Sequence, residues 1–193
     1  MDTHRTWLIA VFGAGLAVSI ACAEPFVTFP EQKELVSPDG RYVLRSVDPP
    51  GDPTNFSSSF HALVLEDRVS GKSRRLYDYL HKVAAAWSGN RIVATDYASR
   101  RAARALVFSV EPNSDSFIVD RVALADRIPV QLGSHLRFND HVFVEAIRME
   151  GGTLVLRAWG YGTQDPSGFH LACRLDLEQA SATCEEGIRT SSR

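Results

Sequence analysis

The chain opens on an unbroken apolar stretch and then settles into short runs of alternating character. From Trp7 to Ala21 the residues are apolar or small, with Arg5 just ahead of them and Ala21-Cys22-Ala23 at their end. A basic residue, an apolar run too short to span a bilayer and an Ala-x-Ala terminus make up a cleavable secretory signal. Residues 1–23 therefore read as a signal peptide cut after Ala23, and residues 24–193 as a single β-rich domain. Cys22 offers a second route: cleavage before it and acylation would make a lipoprotein tethered to a membrane.

Beyond the signal, β-branched and aromatic runs alternate with turn residues, as in an all-β protein. Ser37-Pro38-Asp39-Gly40 is a turn, Arg41–Val47 a strand, and the Pro/Gly/Ser-rich stretch Asp48–Ser59 an exposed loop. Strands follow at Ala62–Asp67 and Arg74–Tyr77, joined by a turn at Ser70-Gly71. The pattern then recurs: a turn at Trp87–Asn90, strands at Arg91–Tyr97 and Ala105–Val110, a Pro112–Ser116 turn, and a strand at Phe117–Val119. A looser third copy runs from Gly151-Gly152 and Thr153–Leu156 to Phe169–Leu175. Ser37 and Ser88 stand about fifty residues apart, near the period of propeller blades.

The expected fold class is all-β, with antiparallel blade-like sheets forming a partial propeller or a sandwich. Two or three blades are too few to close a ring, so a homo-oligomer that completes one is a third possibility. At most one short helix is expected after the signal, over Asp120–Ile128 and stopped by Pro129. Phe138–Met149 is expected to pair with Thr153–Trp159 across the Gly151-Gly152 turn. Trp87 and Trp159 read as core residues.

Composition narrows the function classes. With 21 basic and 23 acidic residues the formal net charge is −2, without the basic footprint that nucleic acid requires. No membrane span remains once the signal is cleaved. Cleavage also removes Cys22, one of three cysteines, and leaves Cys173 and Cys184 to pair as a disulfide in an oxidising compartment. The remaining histidines, His61, His81, His135, His141 and His170, follow no zinc or metalloprotease spacing, so no metal and no cofactor is expected. Nucleophile-elbow, phosphate-loop and dinucleotide motifs are absent from the sequence. Acidic residues, Asp96, Asp165, Asp176 and Glu178 among them, are of the type that pairs in a glycosidase-like cleft.

One segment stands out as a partner-binding candidate. Tyr97-Ala98-Ser99-Arg100-Arg101-Ala102-Ala103-Arg104 places three arginines, a tyrosine and a serine between two strands. Tyr97, Ser99, Arg100, Arg101 and Arg104 are the contact residues it offers, since Arg and Tyr are enriched in interface hot spots. The bland alternative is a solvated connection in which Asp96 pairs with one of the arginines.

The segment Leu65-Glu66-Asp67-Arg68-Val69-Ser70-Gly71, followed by Trp87-Ser88 and a short Ser99 loop, resembles the small periplasmic immunity proteins of type VI secretion amidase effectors. The resemblance implies a non-enzymatic protein whose Ser-bearing loop plugs an effector's active site. The expected function is an exported binding or inhibitor protein with a protein partner in the envelope. The alternatives are a secreted hydrolase with an Asp/Glu cleft, and a structural envelope protein that self-associates.

Overall fold

The structure, a computed structural model, describes residues 25–48, 60–111 and 116–187. The signal segment, all but the first residue of the Asp48–Ser59 loop, most of the Pro112–Ser116 turn and residues 188–193 lie outside the described residues.

Chain reversal at glycine sets the architecture. Gly40, Gly89 and Gly151 have φ of 72°, 60° and 60°, a region open to glycine at little cost. After a short strand β1 (Val27–Phe29), each of these glycines closes the first hairpin of a four-stranded antiparallel meander. The first meander is β2 (Glu34–Val36), β3 (Tyr42–Val47), β4 (His61–Asp67) and β5 (Ser73–Tyr79). The second is β6 (Lys82–Ser88), β7 (Arg91–Ser99), β8 (Ala102–Ser109) and β9 (Phe117–Val119). Two helices follow, α1 (Arg121–Ala125) and α2 (Val130–Phe138). The third meander is β10 (His141–Glu150), β11 (Thr153–Tyr161), β12 (Phe169–Asp176) and β13 (Ala182–Glu186). The three runs that look alike in the sequence are thus the second and third strands of successive meanders: β3–β4, β7–β8 and β11–β12.

The meanders stack, and the middle one is apolar on both faces. Along β7 and β8, Ile92, Ala94, Leu106 and Phe108 face a core shared with Leu44, Leu63 and Tyr79 of the first meander. The alternate residues Val93, Ala105 and Val107 face a second core with Val144, Leu156 and Leu171 of the third. Strands buried on both faces read as continuous apolar runs, as these do. Leu124 and Ala125 of α1 and Leu136 of α2, with Ile128 between the helices, pack onto the second core. β1 pairs with β6, and β8 meets β10 in a short parallel junction, Val142 opposite Ala102 and Phe143 opposite Ala103. That junction joins the second and third meanders in one nine-stranded sheet, beside the separate four-stranded first meander.

The all-β class and antiparallel sheets are as expected, and local differences have identifiable causes. Trp87 and Ser88 belong to β6, so the turn expected at Trp87–Asn90 narrows to Gly89-Asn90. Asp120 caps α1, its carboxylate accepting from the Val122 and Ala123 amides at 3.0 and 2.8 Å. Pro129 ends that helical stretch, yet with φ −52° it also opens α2, a second short helix.

Cys173 and Cys184 stand directly opposite one another on β12 and β13, with Cα atoms 4.2 Å apart and a disulfide between them. It closes a sequence separation of 11 residues, which predicts a loss of about 3 kcal/mol on reduction from unfolded-chain entropy. Urea unfolding with and without reductant measures it; coincident curves would exclude a stabilising role.

Candidate functional site

The segment Tyr97–Arg104 is a tight hairpin rather than an open loop. β7 runs to Ser99, β8 starts at Ala102, and only Arg100-Arg101 turn between them. The Ser99 hydroxyl accepts from the Arg101 amide at 3.0 Å, closing the turn. The Arg101 carbonyl accepts from the Val142 amide at 3.0 Å, which pins the tip to the start of β10. Neither the Arg100 nor the Arg101 side chain forms an ion pair with a described residue, so both charges face solvent at this end of the molecule.

The other two partner candidates are turned inward. Arg104 Nε donates to Asp96 Oδ2 at 3.0 Å, and Tyr77 of the first meander donates to the same oxygen at 2.7 Å. Asp96 is 1% exposed. Tyr97 points toward the third meander, its hydroxyl donating to Glu145 Oε1 at 3.2 Å, while Arg157, opposite Glu145 across the β10–β11 ladder, donates to Oε2. Each carboxylate is therefore held by a cross-strand arginine and by a tyrosine of the preceding meander. These two Tyr–carboxylate–Arg groups bridge the two junctions of the stack.

Burial, and then the Glu145 charge, push the Tyr97 phenol up to about 12 from an ordinary 10.0. Folded Tyr97 keeps its proton where an unfolded tyrosine has lost it, so this residue's stabilisation holds below pH 10 and fades as pH rises toward 12. The stability of Tyr97→Phe is expected to fall less steeply over that window. Urea titrations of both proteins across it, giving parallel slopes, would refute this.

Beside the hairpin tip, the face of the third meander turned away from its core carries a cross-strand stack of rings. His141 and Tyr161 are opposite, with centroids 4.4 Å apart and planes 9° from parallel. Phe143 lies 4.2 Å from Trp159, which lies 6.4 Å from His170, all near-parallel. Trp159 is thus half-buried in this stack rather than in either core. Neighbouring strands are about 4.8 Å apart, so rings stacked at these distances stand up from the sheet and spend their faces on each other. Within the stack Phe143 is buried, and His141 Nδ1 is buried without a hydrogen-bond partner among the described residues. Tyr161 is 46% exposed.

The acidic candidates do not converge. Asp96 is held as above; Asp176 caps the β12–β13 turn by accepting from the Glu178 and Gln179 amides, both at 2.9 Å. Asp165 binds His135 Nδ1 at 2.7 Å and accepts from Asn139 Nδ2 at 2.6 Å. His135 stacks on Phe169, and no serine or cysteine donates to it among the described residues. Among the described residues no group of three or more His, Cys, Asp or Glu is placed to hold a metal ion, and no helix is long and apolar enough to cross a membrane.

No family model, curated protein or solved structure matches this chain. The class is defined by its own geometry: an all-β stack of three meanders, stapled by a disulfide, with a stack of rings beside a cationic hairpin tip.

Proposed function

We propose that this is an exported, non-enzymatic binding protein that engages a protein partner of the envelope with the Ser99–Arg101 tip and the exposed Tyr161 of the ring stack beside it. The observation that carries the proposal is the junction itself: the Arg101 carbonyl is bonded to β10, so two solvated arginines sit at the end of the His141–Tyr161 pair. Arg, Tyr and Trp on a rigid sheet give large contact area at little ordering cost. The apolar leader ending at Ala23 and the Cys173–Cys184 bond support a periplasmic or secreted location, with anchoring through Cys22 as the other processing route. An inhibitory mode, as the immunity-protein resemblance implies, would use the Ser99 turn as the inserted element; Arg100 and Arg101 suit an acidic cleft.

The test is a pull-down from envelope extract with the mature chain. The expected result is a stoichiometric protein that Arg100→Glu/Arg101→Glu binds at least about a hundredfold more weakly, the scale of hot-spot truncation. Equal recovery by the wild type and the variant, or no stoichiometric protein, overturns the proposal. Mass spectrometry of the mature N-terminus distinguishes Ala23 cleavage from acylation at Cys22.

A further inference from the structure

A concave site lies where the first meander meets the end of β8. Its floor is apolar: Leu65 is 3% and Val110 7% exposed, with the Tyr42 ring beside them, in a cleft of about 270 Å³. Arg41, Lys72 and Arg74 rim it. Arg41 is already satisfied, forming two hydrogen bonds to Asp67 at 3.1 and 3.4 Å and resting 4.8 Å from the Tyr42 ring centroid. That contact holds the Asp67 carboxyl down to about 2, so the pair stays internally neutral over the physiological range. Arg74 donates to the Ser109 carbonyl, which fixes its guanidinium but leaves its charge uncompensated. Lys72 forms no ion pair among the described residues. Arg41, Lys72 and Arg74 against Asp67 leave two uncompensated positive charges over an apolar floor. Leu65, Asp67 and Ser70 of the segment Leu65–Gly71 all line this cleft, and the hairpin tip plays no part in it.

We propose that the cleft binds a small amphiphilic carboxylate, its acyl chain on Tyr42, Leu65 and Val110 and its carboxylate on Lys72 and Arg74. Both features are required: the cations select an anion, and the floor rejects one that is fully hydrated. The volume of about 270 Å³ falls just below the range of about 300–1,000 Å³ for sites that take drug-sized molecules, which favours a short chain over a long lipid.

The experiment is a nuclear magnetic resonance titration of the purified chain with octanoate, with octanamide as the neutral probe. Expected are saturable shifts at Tyr42, Leu65–Arg74 and Val110 at octanoate concentrations on the order of 1 mM, the affinity scale of so small a ligand. Lys72→Glu, at an exposed position where the fold is expected to hold, should bind octanoate at least tenfold more weakly, and octanamide should leave these resonances unmoved. Absent shifts, shifts centred elsewhere, equal response to octanamide, or unchanged binding by Lys72→Glu would each overturn the proposal. Partner capture by the hairpin tip is unaffected by any of these outcomes.

Discussion

Gly160→Ala is expected to lower the melting temperature by about 10 °C, from a loss of more than about 3 kcal/mol at roughly 2–4 °C per kcal/mol. Gly160 sits on β11 between Trp159 and Tyr161, flanked by Val142 on β10 and Phe169 on β12. A Cβ there would lie 2.0 Å from the His141 carbonyl oxygen and 3.0 Å from Phe169 Cε1. The first of these is backbone, which cannot rotate aside, so the β10–β11 ladder must open. The same opening would separate His141 from Tyr161, so partner binding should fall along with stability. Gly40→Ala is the control: its φ is +72° but its Cβ would meet nothing within 4 Å, and the expected cost is only the left-handed backbone penalty of about 1–2 kcal/mol. Thermal unfolding of both variants decides it. A smaller loss at Gly160 than at Gly40 would mean the close approach does not exist.

Much of the repeat was legible because its punctuation is local. Gly40, Gly89 and Gly151 mark where chains reverse, and β-branched runs follow each one. What escaped depends on neighbours. β6 carries Ala84-Ala85-Ala86, a poor strand former alone, and is a strand because both its faces are covered, Ala85 on one core and Ala86 on the other. Pro129 carries no mark to distinguish a helix's end from the next one's start. The Tyr97–Arg104 segment looks like a loop because its polar residues obscure the alternation, and a register shift between Asp96 and Ser99 breaks the period.

The ring stack was hidden for a more particular reason. Counting outward from the Gly151-Gly152 turn pairs Glu150 with Thr153 and Met149 with Leu154, and continuing so would place Tyr161 opposite Val142. The irregularity between Ala146 and Arg148 moves the register by one residue, bringing Tyr161 to His141 and Trp159 to Phe143. A single bulge therefore decides whether aromatic residues meet across the ladder, and bulges have no firm sequence signal. The pairing of Glu145 with Arg157 depends on the same shift.

Arg104→Ala is expected to cost about 3 kcal/mol, the lower range for breaking a buried ion pair, because Arg104 itself is 39% exposed. The penalty falls on what is left behind. Asp96 would keep only the Tyr77 hydroxyl, and its Oδ1 already has no hydrogen-bond partner. Tyr77→Phe should cost less, about 1 kcal/mol, since it removes one neutral donor and leaves the arginine in place. The double variant should then lose more than the sum, because the buried carboxylate would have neither partner. Replacing the whole group by apolar residues, as Tyr77→Phe/Asp96→Leu/Arg104→Met, should recover most of the loss, since no buried charge remains. Denaturant unfolding of the set separates an electrostatic clamp from simple packing: a triple variant as unstable as Arg104→Ala would point to packing alone. Measuring stability and partner binding side by side sorts the hairpin's arginines. Arg104→Ala should change stability and leave partner binding within about threefold, where the scatter among neutral contacts lies, whereas Arg100 and Arg101 should do the reverse.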